Sequence, residues 1–140
     1  MKIKKVRGYI FSRSFLEERV PQHVQNIVIR DYCKNNNLHY LLSSTEYIIK
    51  NSHLMLEQVV NNLNKVDGIV AYSVFQLPTD REKKKKVYNK VIKYNKELHF
   101  AVEKLKIVSQ SEADLIEEIW NIKQTLPFTP EIKEIKKKFK

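Results

Sequence analysis

The chain has 140 residues, of which 42% are hydrophobic, and its net charge is +10. This length matches one domain, and the hydrophobic fraction excludes a disordered chain. Cys33 is the single cysteine, so an internal disulfide framework is excluded, and no apolar run approaches the about 18 residues that a membrane span requires. Since the basic N-terminus leads directly into a predicted strand and not into a signal peptide, we expect a cytoplasmic protein without membrane insertion.

The excess positive charge lies in three segments, 2–7, 80–86 and 131–140, and acids and bases are equal in number over the rest of the chain. Charge at two termini and one helix start is typical of a solvated surface. We therefore expect DNA to be an unlikely partner, with only a weak, salt-sensitive attraction to polyanions.

Strand and helix patterns alternate along the chain. Strands are predicted over 5–11, 38–42, 67–75 and 98–102. Helices are predicted to begin near Pro21, at Ser52, at Thr79 or Asp80, and at Ser111. Helical connections between short apolar strands imply a mostly parallel sheet with helices on both faces.

These elements predict a three-layer α/β/α fold with a mostly parallel four-stranded sheet, of the resolvase or flavodoxin kind, and a long C-terminal helix. We expect one domain over 1–126 and a Pro/Lys-rich tail over 127–140. The last helix has an apolar stripe of Leu115, Ile119 and Ile122, with Trp120 beside it. This stripe either closes the core or forms a homodimer interface through residues 111–126.

Polar residues follow the predicted strands at the carboxyl ends, where open α/β sheets bind ligands. Arg13 and Arg19, beside a helix start, are candidates for an anion site, unless they simply pair with Glu17 or Glu18. The candidate ligand-binding residues are Ser12, Arg13, Arg19, Gln22, Ser43, Tyr72, Ser73 and Gln76.

His23 and Glu46 are the candidates for proton exchange, because a histidine in a first helical turn can act as acid or base with a carboxylate partner. The alternative is a structural histidine and a surface carboxylate. His39, His53 and His99 fall within strand or helix patterns and are interpreted as structural. We expect neither a metal nor a cofactor, because no metal-ligand spacing and no glycine-rich phosphate loop is present.

The order of elements resembles the catalytic domain of serine recombinases, with Gly8-Tyr9-Ile10 in the opening strand and residues 67–80 as strand, turn and helix start. The chemistry of that family does not carry over. Phe11 stands where the family has an arginine, and Arg13 occupies the nucleophile position. Phe75-Gln76-Leu77-Pro78-Thr79 replaces the family's Asp-Arg-Leu-Gly-Arg turn. The resemblance thus implies the fold and not DNA cleavage.

Residues 6–126 are also similar to the bacterial sporadic carbohydrate cluster proteins. The similarity lies in Arg7-Gly8-Tyr9-Ile10, residues 19–26, 29–33, 40–43, 45–47 and 67–70, Tyr72-Ser73, residues 75–78 and residues 97–103. It implies a role in surface-polysaccharide or unusual-sugar biosynthesis and not a mechanism. Our leading hypothesis is a protein of that pathway that binds an anionic sugar or nucleotide-sugar at the strand ends, either as a binding protein or as a cofactor-independent sugar-modifying enzyme. The alternatives are a non-catalytic dimeric partner or regulator in that pathway and, last, a DNA-acting relative of the serine recombinases.

Overall fold

The computed structural model of the chain describes residues 3–15 and 19–125. These residues form nine regular elements, which are β1 (Lys4–Phe11), α1 (Gln22–Asn35), β2 (Leu38–Glu46), α2 (Leu54–Asn61), β3 (Gly68–Ala71), α3 (Arg81–Lys93), β4 (Glu97–Phe100), β5 (Leu105–Ile107) and α4 (Gln110–Thr125). Short 3-10 helices lie at Leu63–Lys65 and Val74–Gln76. The predicted tail at 127–140 lies outside the described residues.

The strands that are described form one sheet in the order β2-β1-β3-β4-β5. β1 pairs in parallel with β2 and β3, and β3 pairs in parallel with β4, which confirms a mostly parallel α/β sheet. The predicted count of four strands is wrong, because β5 returns antiparallel to β4. β5 has only three residues, which are too few to show an alternating pattern in the sequence. It follows a turn in which Lys104 adopts a φ of 56°.

Three strands end at different places from those predicted, and one of them is β4, which stops at Phe100 and not at residue 102. β2 continues to Glu46, so Ser43 belongs to the strand, and the register of β1 with β2 shifts between Arg7 and Tyr9. β3 stops at Ala71. The chain then turns into a 3-10 helix, where the Ser73 hydroxyl oxygen accepts a hydrogen bond from the backbone N–H of Phe75 at 3.2 Å.

The two faces of the sheet are covered unequally by the described helices. α2, α3 and α4 bury one face in a core that includes Phe11, Ile69 and Leu98. α1 packs on the other face, against β1 and β2, in a smaller cluster with Val6 and Val70. None of the described helices is long and apolar enough to cross a membrane.

α4 packs on the core through a different face from the predicted one. Ala113, Ile116 and Trp120 are buried, whereas Leu115 and Ile122 are 46% and 60% exposed. Trp120 sets this rotation, because its indole N–H donates to the backbone oxygen of Val74 at 3.2 Å. α4 is thus a 16-residue helix that closes the core, and the expectation of an additional long helix is inexact.

Alanine substitutions at adjacent positions of α4 test this rotation. Ile116→Ala should lower the free energy of unfolding by about 2–5 kcal/mol, because it removes a fully buried side chain. Leu115→Ala should change it by less than about 0.5 kcal/mol. Urea unfolding followed by circular dichroism measures both values, and equal losses would contradict the observed packing.

Candidate functional site

The residues after β1 lie across the carboxyl ends of β1 and β2. The hydroxyl of Ser12 donates to the backbone oxygen of Glu46 at 2.6 Å. The guanidinium of Arg13 donates to the backbone oxygen of Tyr47 at 2.9 Å, and its Cζ lies 4.1 Å from the centre of the Phe11 ring. Ser12 and Arg13 therefore tie the two strand ends together.

The Glu46 carboxylate is buried at the start of α2 and is only 1% exposed. It accepts hydrogen bonds from the Tyr9 hydroxyl at 2.8 Å and the Ser52 hydroxyl at 3.1 Å. The backbone N–H groups of Tyr47, Met55 and Leu56 also donate to it, at 3.0–3.2 Å. Burial alone would raise the pKa of the Glu46 carboxyl, but these hydrogen bonds outweigh burial and lower it.

His53, which was interpreted as structural, lies close to Glu46 and Arg13 in this site. Its Nε2 is 3.1 Å from the backbone oxygen of Gln76, its Nδ1 is 3.3 Å from that of Asn51, and its ring centre is 5.8 Å from that of Phe11. Burial, and then the nearby charge of Arg13, lower the pKa of His53. Gln76 lies 23 residues from His53 in the sequence, and only the fold brings its backbone oxygen next to the His53 ring.

Two buried glutamines hold the end of β1 from the side of α1. Gln25 accepts from the N–H of Phe11 at 3.0 Å and donates to the oxygens of Phe11 and Val20 at 2.9 and 2.8 Å. Gln76 donates to Oε1 of Gln25 at 2.8 Å. Oε1 of Gln76 has no hydrogen-bond partner among the described residues. Gln25 acts here as a backbone clamp, and the sequence analysis missed it.

The other predicted site residues are spread around this edge. Arg19, Gln22 and His23 are exposed before and at the start of α1. Ser43 donates to Oδ1 of Asn26 at 2.7 Å, under Gly8, where an added Cβ would lie 2.1 Å from the Ser43 hydroxyl.

Residues after β3 lie towards β4. The Ser73 hydroxyl donates to Glu103 at 2.8 Å, and the ring of Tyr72 lies 5.9 Å from that of Phe15. Proton exchange between His23 and Glu46 stays a prediction. Both oxygens of Glu46 accept hydrogen bonds within the fold. Glu17 and Glu18, the alternative partners of the arginines, lie outside the described residues.

The strongest positive charge in the described structure lies on α3. This helix carries seven bases and one acid, and Arg81, Lys83, Lys85, Lys86, Lys90 and Lys93 are exposed. Lys84 is the buried base, and its ammonium lies 3.4 Å from the Glu117 carboxylate.

Lys83, Lys86 and Lys90 line a groove of about 300 Å³ between α2 and α3. Lys90 donates to Oδ1 of Asn61 on α2 at 2.6 Å, which holds one of these ammonium groups at the groove. The charge that looks like a helix start in the sequence is therefore a row along an exposed helix face. No group of His, Cys, Asp and Glu among the described residues could hold a metal ion.

No family model and no curated protein matches the chain. Several solved structures are similar to it, and two of them illustrate the similarity. The N-terminal catalytic domain of TP901-1 integrase matches with a TM-score of 0.56 at 13% identity, over 86% of this chain and 98% of that one. A resolvase family site-specific recombinase from Streptococcus pneumoniae matches with a TM-score of 0.62 at 6% identity, over 95% of this chain and 97% of that one. The chain therefore has the resolvase-like α/β fold.

These neighbours correct the prediction of function. No match supports the sporadic carbohydrate cluster family, a role in carbohydrate biosynthesis, or an anionic sugar or nucleotide-sugar as partner. Both neighbours belong to the class that the sequence placed last, which also overturns the expectation that DNA is an unlikely partner. That expectation assumed that the lysines after Asp80 were only a solvated helix start.

Replacing Glu46 tests its role as an anchor of the strand ends. Glu46→Gln should lower the free energy of unfolding by about 2–3 kcal/mol at neutral pH, because an amide presents donors to a site filled with donors. The lowered pKa of Glu46 contributes stability above the unfolded pKa of about 4.3, and that stability is lost as pH falls through the folded pKa.

Urea unfolding of both proteins at a series of pH values measures this effect. The difference between wild type and Glu46→Gln should shrink as the pH falls below about 4.3. A difference that does not change with pH would contradict an ionised carboxylate at this position.

Proposed function

We propose that this protein binds duplex DNA through the exposed basic face of α3 and does not cleave it. The observation that carries the proposal is the row of Lys83, Lys86 and Lys90 along the α2–α3 groove, on a helix with seven bases and one acid. The resolvase-like fold supports DNA as the polyanion, since both similar structures are recombinase or integrase domains.

The spacing of the three lysines suits a phosphate backbone. Positions three and four residues apart share one face of a helix, and residues 83 and 90 are separated by about 10 Å along the axis. Lysine binds phosphate as a flexible point charge, without reading bases. Such contacts favour sequence-independent affinity that depends strongly on salt.

The strand-end contacts support binding without strand cleavage. The Ser12 hydroxyl donates its hydrogen to the backbone oxygen of Glu46. Arg13 occupies the position at which the recombinase motif has its nucleophile. The Arg13 guanidinium packs on Phe11 and binds Tyr47, so it is directed at the protein's own strand ends. An attacking hydroxyl needs a base and positive charge around the phosphate, and these contacts supply neither at Ser12.

A triple variant tests the lysine row. Lys83→Ala, Lys86→Ala and Lys90→Ala together should weaken duplex binding at moderate salt. They should also reduce the slope of log affinity against log salt by about 2.7, because each phosphate contact contributes about 0.9. Fluorescence anisotropy with a labelled duplex at several salt concentrations measures both.

The matched control removes the same amount of charge from exposed lysines elsewhere, by Lys34→Ala, Lys50→Ala and Lys65→Ala. This control should keep most of the slope. Equal losses in the two triple variants would show a general charge effect and contradict the proposed surface, and no binding by the wild type would refute the function.

The absence of cleavage has its own test. The protein and an end-labelled duplex should yield neither nicked DNA nor a covalent protein–DNA product on a denaturing gel. Ser12→Ala and Ser14→Ala should bind the duplex as the wild type does. A covalent product that disappears in either serine variant would contradict the non-cleaving role.

A further inference from the structure

The face of the sheet under α1 is open at the β4–β5 end of the described structure. The outer strands of a five-stranded sheet are about 19 Å apart, whereas a helix is about 10 Å across. α1 packs on β1 and β2. The β4–β5 end of this face therefore borders a cleft of about 570 Å³, which Lys4, Asn36, Asn37, Lys104 and Lys106 help to line.

A chain of three hydrogen-bonded side chains forms one wall of this cleft. The Tyr32 hydroxyl lies 2.6 Å from Nδ1 of His99, and Nε2 of His99 lies 2.8 Å from Oε1 of Glu97. The other carboxylate oxygen of Glu97 bonds to the ammonium of Lys4. Tyr32 and His99 are 8% and 3% exposed. The chain thus runs from the buried strand β4 to the surface of the cleft.

Gly68 makes room for this arrangement. β3 lies between β1 and β4, and Gly68 pairs with both Val6 and Glu97. A Cβ at Gly68 would lie 2.5 Å from the backbone oxygen of Glu97. The absence of a side chain here therefore allows the close approach of Glu97 to the start of β3.

The hydrogen positions in this chain follow from the partners. The Glu97 carboxylate can only accept, so Nε2 of His99 carries a hydrogen and donates it. In the neutral imidazole Nδ1 is then an acceptor, and the Tyr32 hydroxyl donates to it. With His99 neutral, the phenol hydrogen points away from the cleft and towards the imidazole.

We propose that this cleft binds a small phosphomonoester and that binding is coupled to protonation of His99. Three ammonium groups (Lys4, Lys104 and Lys106) and one carboxylate (Glu97) leave the cleft with an excess of positive charge, which suits a dianion. The volume suits a small ligand, since such sites usually measure about 300–1,000 Å³. This site is independent of the DNA surface, because α3 lies on the other face of the sheet.

The coupling follows from the hydrogen-bond chain. When Nδ1 of His99 gains a proton from solvent, it must donate to the Tyr32 oxygen. The phenol hydrogen is then released and can donate to a phosphate oxygen in the cleft. A bound dianion thus favours the imidazolium, whose Nε2–H continues to donate to the Glu97 carboxylate. The proton is carried by His99, and no covalent bond to the ligand is formed or broken.

The groups around His99 keep it neutral before ligand binds. Burial lowers its pKa, the Glu97 carboxylate opposes that effect, and the ammonium groups of Lys106 on β5 and Lys4 on β1 lower it further. On α1, burial raises the pKa of Tyr32 to about 12 and that of Cys33 to about 11, so both are neutral near pH 7. Lys104 is the remaining charge at the cleft.

The test is a calorimetric titration of the full chain with phenyl phosphate, with inorganic phosphate and with sulfate. Sulfate remains a dianion near neutral pH, so its pH dependence reports on the protein. Sulfate affinity should rise as pH falls from about 8 to about 6, and calorimetry in buffers of different ionisation enthalpy should show proton uptake. Lys104→Ala with Lys106→Ala should weaken phenyl phosphate binding about tenfold or more.

Matched variants separate this cleft from other sites. Lys50→Ala with Lys65→Ala removes the same charge outside the cleft and should leave phenyl phosphate affinity unchanged. The α3 triple variant should also bind phenyl phosphate normally, which keeps this result distinct from the DNA proposal. Tyr32→Phe should lose about tenfold in affinity, because the donor to the ligand is lost.

Nitrogen NMR of the histidine rings gives a readout that does not depend on a variant. The chemical shift of Nδ1 of His99 should change from that of an unprotonated acceptor nitrogen to that of a protonated nitrogen when phenyl phosphate is added at pH 7. The proposal is overturned by no saturable binding up to about 10 mM, or by binding that survives loss of Lys104 and Lys106. Binding without proton uptake would also overturn it.

Discussion

The arrangement of the carboxyl ends of β1 and β2 depends on one buried carboxylate, that of Glu46. The first N–H groups of a helix have no partner within that helix, and the residue that caps α2, His53, makes no side-chain hydrogen bond to them. Glu46 supplies the missing acceptor from the end of β2, and it also accepts from Tyr9 in β1 and from Ser52. β1, β2 and α2 thus share one anion, whose negative charge suits a helix N-terminus. The path of Ser12 and Arg13 follows from the strand ends that this anion fixes.

The same anchoring explains why polar residues at strand ends are an ambiguous sign of function. The backbone N–H and C=O groups at the ends of parallel strands need hydrogen-bond partners. Buried polar side chains often provide those partners. Gln25 binds both backbone groups of Phe11, Ser73 binds Glu103, and Ser12 binds Glu46. Much of the polarity at this edge is therefore used within the fold. Much of the exposed positive charge lies elsewhere, on α3 and around the cleft at β4 and β5.

The fold class was predictable because alternation of strands and helices is a local pattern, and the Asp80 cap of α3 was predictable for the same reason. β5 was not, since three residues define no period. In α4, two helical stripes compete. Leu115 and Ile122 of the predicted stripe are exposed, while Ile119 packs partly against the core. Trp120 fixes this arrangement, because it packs on Phe75 and donates to the backbone oxygen of Val74. Glu46 and Tyr72 were correctly placed near strand ends. The partners of His99 and His53 were beyond sequence reasoning, because Tyr32 lies 67 residues from His99 and Gln76 lies 23 from His53.

Similarity to recombinase domains at 6% and 13% identity constrains the core and leaves the surface free. In this chain Val70 and Ile69 are buried in the sheet, whereas the charges on α3 and around the cleft lie on the surface, which a shared fold does not specify. The basic face of α3 and the Tyr32–His99–Glu97 cleft lie on opposite faces of the sheet, so the two proposed binding sites do not overlap. The thin sheet between them is the shortest physical connection, and β4 joins both layers through Leu98 towards α3 and His99 towards α1. Any influence of one site on the other would pass through that strand.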